Sequence, residues 1–229
     1  MRFLRENSLS LGFGSLFVVA LVGQAVAGHA AYNEHELTHA GLAGEQAETI
    51  SLGRYIVSSH FGQAVMENWQ SEYLQFTLFI LLTVWLVQRG SPESKPPDRA
   101  GRESDSDQLV GAHAQPDSPP WARASGWRRT VYENSLLVVM VAIFLGSWLA
   151  QSFTGWSAYN ADQLSHHEHA VSWLAFIGSA DFWESTLQNW QSEFLAVGSM
   201  VVLSIYLRQR GSPESKPVGA SHDATGVEG

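Results

Sequence analysis

Cysteine is absent, which excludes disulfides, thiolate metal sites and covalent haem attachment. Charge is scarce as well: Asp, Glu, Lys and Arg make up 15% of the chain, against about 25% in soluble domains. Four stretches lack charge altogether. They run between Asn7 and Glu34, from Tyr73 to Gln88, from Asn134 to Ala161 and from Phe194 to Leu207. The first and third are long enough to cross the roughly 30 Å of a bilayer's hydrocarbon, whereas the second and fourth are short. The chain has only 13 basic residues and a net charge of −9, so nucleic acid is not an expected partner.

What is present is a repeat. ENWQSEYLQ at 67–75 returns as QNWQSEFLA at 188–196, and QRGSPESKP at 88–96 returns unchanged at 209–217, both 121 positions later. Glu6-Asn7-Ser8-Leu9 returns as Glu133-Asn134-Ser135-Leu136, and Ala31-Tyr32-Asn33 as Ala158-Tyr159-Asn160, each 127 positions later. A nine-residue identity with ordered flanking matches marks a duplication. The expected fold is therefore all-α: an integral membrane four-helix bundle made of two tandem two-helix hairpin repeats. Residues 1–96 form the first repeat, with spans at about 9–27 and 70–88. Residues 128–217 form the second, with spans at about 135–153 and 190–208. Residues 97–127, rich in Pro, Ser, Asp and Arg, are expected to be a disordered cytoplasmic linker, and 218–229 a disordered tail. Met1 to Ala27 also has the form of a secretory signal peptide. Its counterpart, Leu136 to Phe153, lies mid-chain, so a retained helix is expected.

Basic residues give the sidedness. Of all the Lys and Arg, only Arg54 falls within residues 28–72 or 155–193. The positive-inside rule then places the N-terminus, the linker and the C-terminus in the cytoplasm and both hairpin loops outside. The repeated GSPESKP reads as a stop-transfer flank, with Gly and Pro to end the helix.

Seven of the nine histidines lie in the two outer loops. His35-Glu36-Leu37-Thr38-His39 matches H-E-x-x-H, which on a helix presents two imidazoles to zinc with the glutamate as general base. Residue 45 is Glu where a third ligand would stand, and the second copy reads Asp162-Gln163-Leu164-Ser165-His166. A looser zinc set would be His35, His39, His166, His167 and His169; no cofactor is otherwise expected. The NWQSE segments offer a second set: Asn68, Trp69, Gln70 and Glu72, with Asn189, Trp190, Gln191 and Glu193. Their tryptophans suit an interfacial belt. The carboxylates of Glu72 and Glu193 are drawn toward the apolar edge because their spans are short, and an ionisable residue there is a functional candidate.

Laid out in this way, the chain resembles a bacterial family of small duplicated membrane proteins, a domain of unknown function, with paired ENWxSEFLQ and QRGSPESK segments. The carrying residues are Tyr32-Asn33, Asn68 to Leu74, Gln88 to Lys95 and their partners in the second copy. The resemblance implies a multi-pass protein of the bacterial cytoplasmic membrane and adds no activity. The leading expectation is a non-enzymatic accessory or interaction module. Its partners would be the lipid bilayer and either further copies of itself or other membrane proteins. The alternatives are a small transporter or ion-binding protein using Glu72 and Glu193, and a zinc-dependent hydrolase at HELTH.

Overall fold

The computed structural model describes residues 2–44 and 46–228, and among them every regular element is helical. Eight α-helices follow in order: α1 (Arg2–Glu6), α2 (Ser8–Ala43), α3 (Leu52–Ile56), α4 (Ser59–Leu82), α5 (Trp127–Glu133), α6 (Ser135–Ser165), α7 (Trp173–Ile177) and α8 (Ala180–Tyr206). Short 3-10 turns occupy Pro97–Arg99, Gly111–His113 and Pro120–Arg123 in the linker. The chain divides into two compact units, residues 1–65 with 150–176 and residues 66–149 with 177–229, each drawing on both copies of the repeat.

Four membrane spans were expected, but among the described residues two helices are long and apolar enough to cross a membrane, Ser8–Leu42 and Ser135–Ser165. The helices α4 and α8 have the length, at 24 and 27 residues. Glu67 and Glu72 lie within α4, however, and Asp181, Glu184 and Glu193 within α8, which confines the charge-free stretch of each to its C-terminal end. The second span also ends early. Helix α4 closes at Leu82, not near 88.

The first and third apolar runs overshoot their expected ends. Helix α2 continues sixteen residues past Ala27 until Gly44, at φ +73°, turns its N–H back to Ala40 O. At 36 residues it is about 54 Å long. Much of the first outer loop is therefore helix, HELTH included.

Matching motifs make matching contacts. Ion pairs Arg2–Glu6 and Arg129–Glu133 link residues one turn apart. The Asn7 and Asn134 amides donate to Phe3 O and Thr130 O, and the Ser8 and Ser135 hydroxyls to Arg5 O and Tyr132 O. Each copy thus places the same kinked cap before its long helix.

Asn33 accepts from Ile50 N at 2.9 Å and donates to Ile50 O at 3.0 Å. Asn160 does the same with Val171, at 2.8 and 3.0 Å. The side-chain amide acts as a third strand-like partner for an extended residue that has no sheet to join. Next to it, Ser51 and Ser172 cap the short helices α3 and α7. Glycine makes the approach in both copies: a Cβ on Gly28 would sit 2.4 Å from the Tyr55 hydroxyl, and one on Gly155 3.1 Å from Phe176. Asn33→Asp keeps the acceptor but sets a carboxylate against Ile50 O. A loss of about 2 kcal/mol is expected, read as a lower unfolding midpoint in detergent, with Asn33→Gln failing to rescue because its amide is one methylene too long.

Candidate functional site

Polar side chains collect inside the unit formed by residues 66–149 and 177–229. On α4, Gln70 is 0% exposed, Ser71 is buried and Thr77 is buried about two turns beyond Gln70. On α8, Thr186 is 0% exposed, and on α6 Ser147 is buried. Sequence periodicity accounts for the register: Gln70, Leu74 and Thr77 fall at i, i+4 and i+7 on one face of α4.

Hydrogen bonds tie this column together only in part. The Ser185 hydroxyl donates to Glu67 Oε1 at 2.5 Å, and the Trp190 indole N–H to Gln70 Oε1 at 2.7 Å. That leaves Gln70 Nε2, Thr77 Oγ1, Thr186 Oγ1 and the indole nitrogen of Trp148 buried without a hydrogen-bond partner among the described residues. Each such group costs about 1–3 kcal/mol to bury. Trp148 stands at the centre of an aromatic group, its ring 5.6 Å from those of Phe144 and Trp190, 6.0 Å from Trp183 and 6.5 Å from Phe182. Polar and aromatic groups are thereby interleaved along about 15 Å of helix between Glu67 and Thr77.

The NWQSE residues divide between the two copies. Gln70 is sealed while its counterpart Gln191 is exposed. Trp190 bonds inward to Gln70, while Trp69 is 37% exposed. Asn189 donates to Ser185 O on its own helix, and Asn68 lies on the exposed side of α4. Glu193 is half-buried and Glu72 exposed, and the two carboxylates are near enough to act on each other electrostatically.

Three of the five histidines singled out for zinc meet in the other unit. The rings of His35 and His39 are 4.2 Å apart, and His39 and His166 4.9 Å edge to face. His167, at φ +58°, and His169 follow the end of α6. Among the described residues no group of three or more His, Cys, Asp or Glu is placed to hold a metal ion. Near these rings His60 packs edge-on against Tyr32 at 5.1 Å. Burial pushes its pKa down, and Asp162 and Glu36 pull it back up.

The exit segments fold as a matched pair of turns. Gln88 N donates to Ser94 Oγ at 2.8 Å and Gln209 N to Ser215 Oγ at 2.9 Å; Glu93 N and Glu214 N donate to Ser91 Oγ and Ser212 Oγ, both at 3.2 Å. Gly90 and Gly211 hold φ at +86° and +82°. The Lys216 ammonium, 1% exposed with its residue, donates to Gly90 O at 2.6 Å, His222 O at 3.0 Å and Ser221 O and Ala224 O at 3.2 Å. Gly90 N donates to Thr225 Oγ1 and Gly226 N to Ser91 O. Residues 216–226 therefore clasp the first copy's turn. Burial pushes the Glu93 carboxyl up from its ordinary range, reinforced by its hydrogen bond to the Glu214 carboxyl and by the charges of Glu214 and Glu228.

Sequence reasoning missed Trp148, Thr186 and the Glu67–Ser185 pair. A signal was there: Ser147, Trp148, Gln151 and Ser152 interrupt an apolar run on one helical face.

One family model, described as a domain of unknown function (DUF6766), matches residues 1–227. No curated protein and no solved structure matches the chain.

Proposed function

The chain belongs to the DUF6766 family, and we propose that it is a four-span membrane carrier that binds a small polar solute or cation among α4, α6 and α8. The observation that carries this reading is the inverted burial. Gln70 and Thr186 are fully covered and keep unpaired polar atoms, while large apolar side chains such as Leu9, Phe13 and Val19 on α2 stand in the open. Water would drive the opposite arrangement, whereas hydrocarbon accepts the apolar exterior. Polar groups inside a bundle, and ionisable ones above all, mark a solute or proton path.

Within this reading Gln70, Trp148 and Thr186 contact the solute, and Glu193 with Glu72 carries the proton or cation. Lipid solvates α2 and the first half of α6. The short apolar ends of α4 and α8 complete the crossing by drawing their polar N-terminal halves into the bundle, where the column of polar groups receives them. The distribution of Lys and Arg supports a cytoplasmic side for both termini and the linker, and the bacterial cytoplasmic membrane is what the resemblance stated above implies.

The test is flux in liposomes under an imposed pH or potassium gradient, read with an internal pH dye. Wild type should exceed protein-free vesicles, Glu193→Gln should fall about tenfold, and Gln70→Leu should fall several-fold through loss of about 1 kcal/mol or more of solute contact. Flux equal to that of empty vesicles would end the carrier reading. The second reading, an accessory module that docks another membrane protein, draws on α2, whose apolar window is only 6% buried. Co-purification of a partner that is lost on substituting α2 alone would favour it.

A further inference from the structure

Residues 105–133, mostly within the stretch expected to be a disordered linker, fold into a small body directly before α6. Val110 and Ala122 are buried, and the turn at Pro120–Arg123 packs against α5. Arg129 pairs with Asp105 and Glu133, and the Arg123 guanidinium donates to Gln115 O at 2.7 Å and to Pro116 O. These two arginines are thus spent within the body, while its aromatic side chains stay open. Trp121 and Trp127 are 44% and 68% exposed, with their rings edge to face at 6.4 Å. Val131, one turn beyond Trp127 on the same face of α5, is exposed too. Arg128 lies over the Trp127 ring at 5.6 Å. Two indoles and a valine therefore form one open patch with a cation at its edge. Helix α5 stops at Asn134, φ −112°, and α6 begins at Ser135. That helix has the length and composition to cross a membrane, and it exposes Leu136, Val138 and Val139. The first copy repeats the placement without tryptophan: Leu4, the counterpart of Val131, is exposed on α1 just before α2.

We propose that the patch of Trp121, Trp127 and Val131 lies in the headgroup layer of the bilayer and fixes where α6 enters it. Tryptophan suits that depth, because its ring is apolar while its indole N–H seeks a polar partner. Hydrocarbon would strand the Arg128 guanidinium, and water would leave the two indoles and the valine unburied. The headgroup layer accepts both. Continuity argues for lipid as the occupant, since the exposed apolar surface of α6 begins five residues after Val131, at Leu136. The break at Asn134 allows α5, about 10 Å long at seven residues, to lie in the membrane plane while α6 crosses it. The inference rests on the membrane reading and is independent of the carrier.

Because the chain has no cysteine, a fluorophore on one introduced cysteine reports one place. The full chain is reconstituted in phosphatidylcholine–phosphatidylglycerol nanodiscs, which leave both faces open to solutes. It is labelled in turn at Val131→Cys, at Leu145→Cys, about 15 Å along α6 from Ser135, and at Asp98→Cys in the exposed linker. Lipids brominated at successive acyl positions read depth, and iodide reads exposure to water. The Val131 label is expected about 5–10 Å into the headgroup–acyl boundary, the Leu145 label deeper and the Asp98 label in water. Trp121→Ser combined with Trp127→Ser should release the Val131 label to iodide and leave the Leu145 label at its depth. A Val131 label as open to iodide as the Asp98 label overturns the proposal, as does one that the tryptophan substitutions do not move. A Val131 label shielded from both quenchers means that protein covers the patch, which overturns the lipid assignment. A Leu145 label in water fails the membrane reading and this proposal with it; a Leu145 label at depth beside a Val131 label in water fails this proposal alone.

Discussion

Gly90→Ala is expected to destabilise the protein by about 3 kcal/mol, and Gly211→Ala by only about 1 kcal/mol. The two glycines occupy the same place in identical nine-residue segments and hold nearly the same backbone angle, φ +86° and +82°. An L-residue pays roughly 1–2 kcal/mol for that left-handed conformation at either position. Surroundings separate them. A Cβ on Gly90 would lie 2.4 Å from His222 O and 3.0 Å from Ile205 Cγ2, whereas one on Gly211 would meet nothing within 4 Å. The oxygen cannot retreat cheaply, because it belongs to the backbone and accepts from Lys216 Nζ at 3.0 Å. Chemical unfolding of both variants in the same detergent supplies the comparison. Equal losses would mean that the tail does not lie against the first turn.

Lys216→Met should also cost about 3 kcal/mol, by removing charge-assisted hydrogen bonds while nearly preserving the volume of the side-chain stem. The ammonium has three protons and meets four carbonyl oxygens between 2.6 and 3.2 Å, so every proton has an acceptor. Methionine would leave those carbonyls covered without a donor. The matching substitution in the first copy, Lys95→Met, should cost about 1 kcal/mol. Lys95 holds Gly101 O at 3.1 Å and Glu103 at 3.0 Å, with 28% of its side chain exposed. Limited proteolysis reads the same event locally, as faster cleavage after residue 217 in Lys216→Met than in Lys95→Met. Identical cleavage in the two would show that residues 218–228 are held by something other than this lysine.

Much of the site was legible in outline. NWQSE stood out because both copies contain it, and Gln70 and Trp190 do meet, at 2.7 Å. Which member of each pair turns inward could not be read from the letters, because Gln70 and Gln191 sit in the same five-residue context. HELTH was read as lying in a loop, and it lies on α2. A polar helix running on beyond an apolar one leaves no break in the sequence until Gly41 and Gly44. The zinc set had the right residue types, and the rings of His35, His39 and His166 do lie side by side, but among the described residues no group of three or more is placed to hold a metal ion.

By itself the sequence determined whatever depends on near neighbours. That covers the apolar runs, the helix starts at Ser8 and Ser135, the glycine turns at 90 and 211, and the asparagines whose amides clamp Ile50 and Val171. These contacts span a few residues or a single short hairpin, so equal letters give equal geometry. Tertiary structure alone decided the asymmetry: Gln70 covered and Gln191 open, Arg89 paired and Arg210 unspent, Gly90 wrapped and Gly211 bare. The tail after the second copy folds back onto the first copy's turn, where it covers Gly90 and Ser91, and leaves Arg210 and Gly211 of the second exposed. Identical side chains therefore meet different surroundings, and the surroundings set which of them is covered and which stays open.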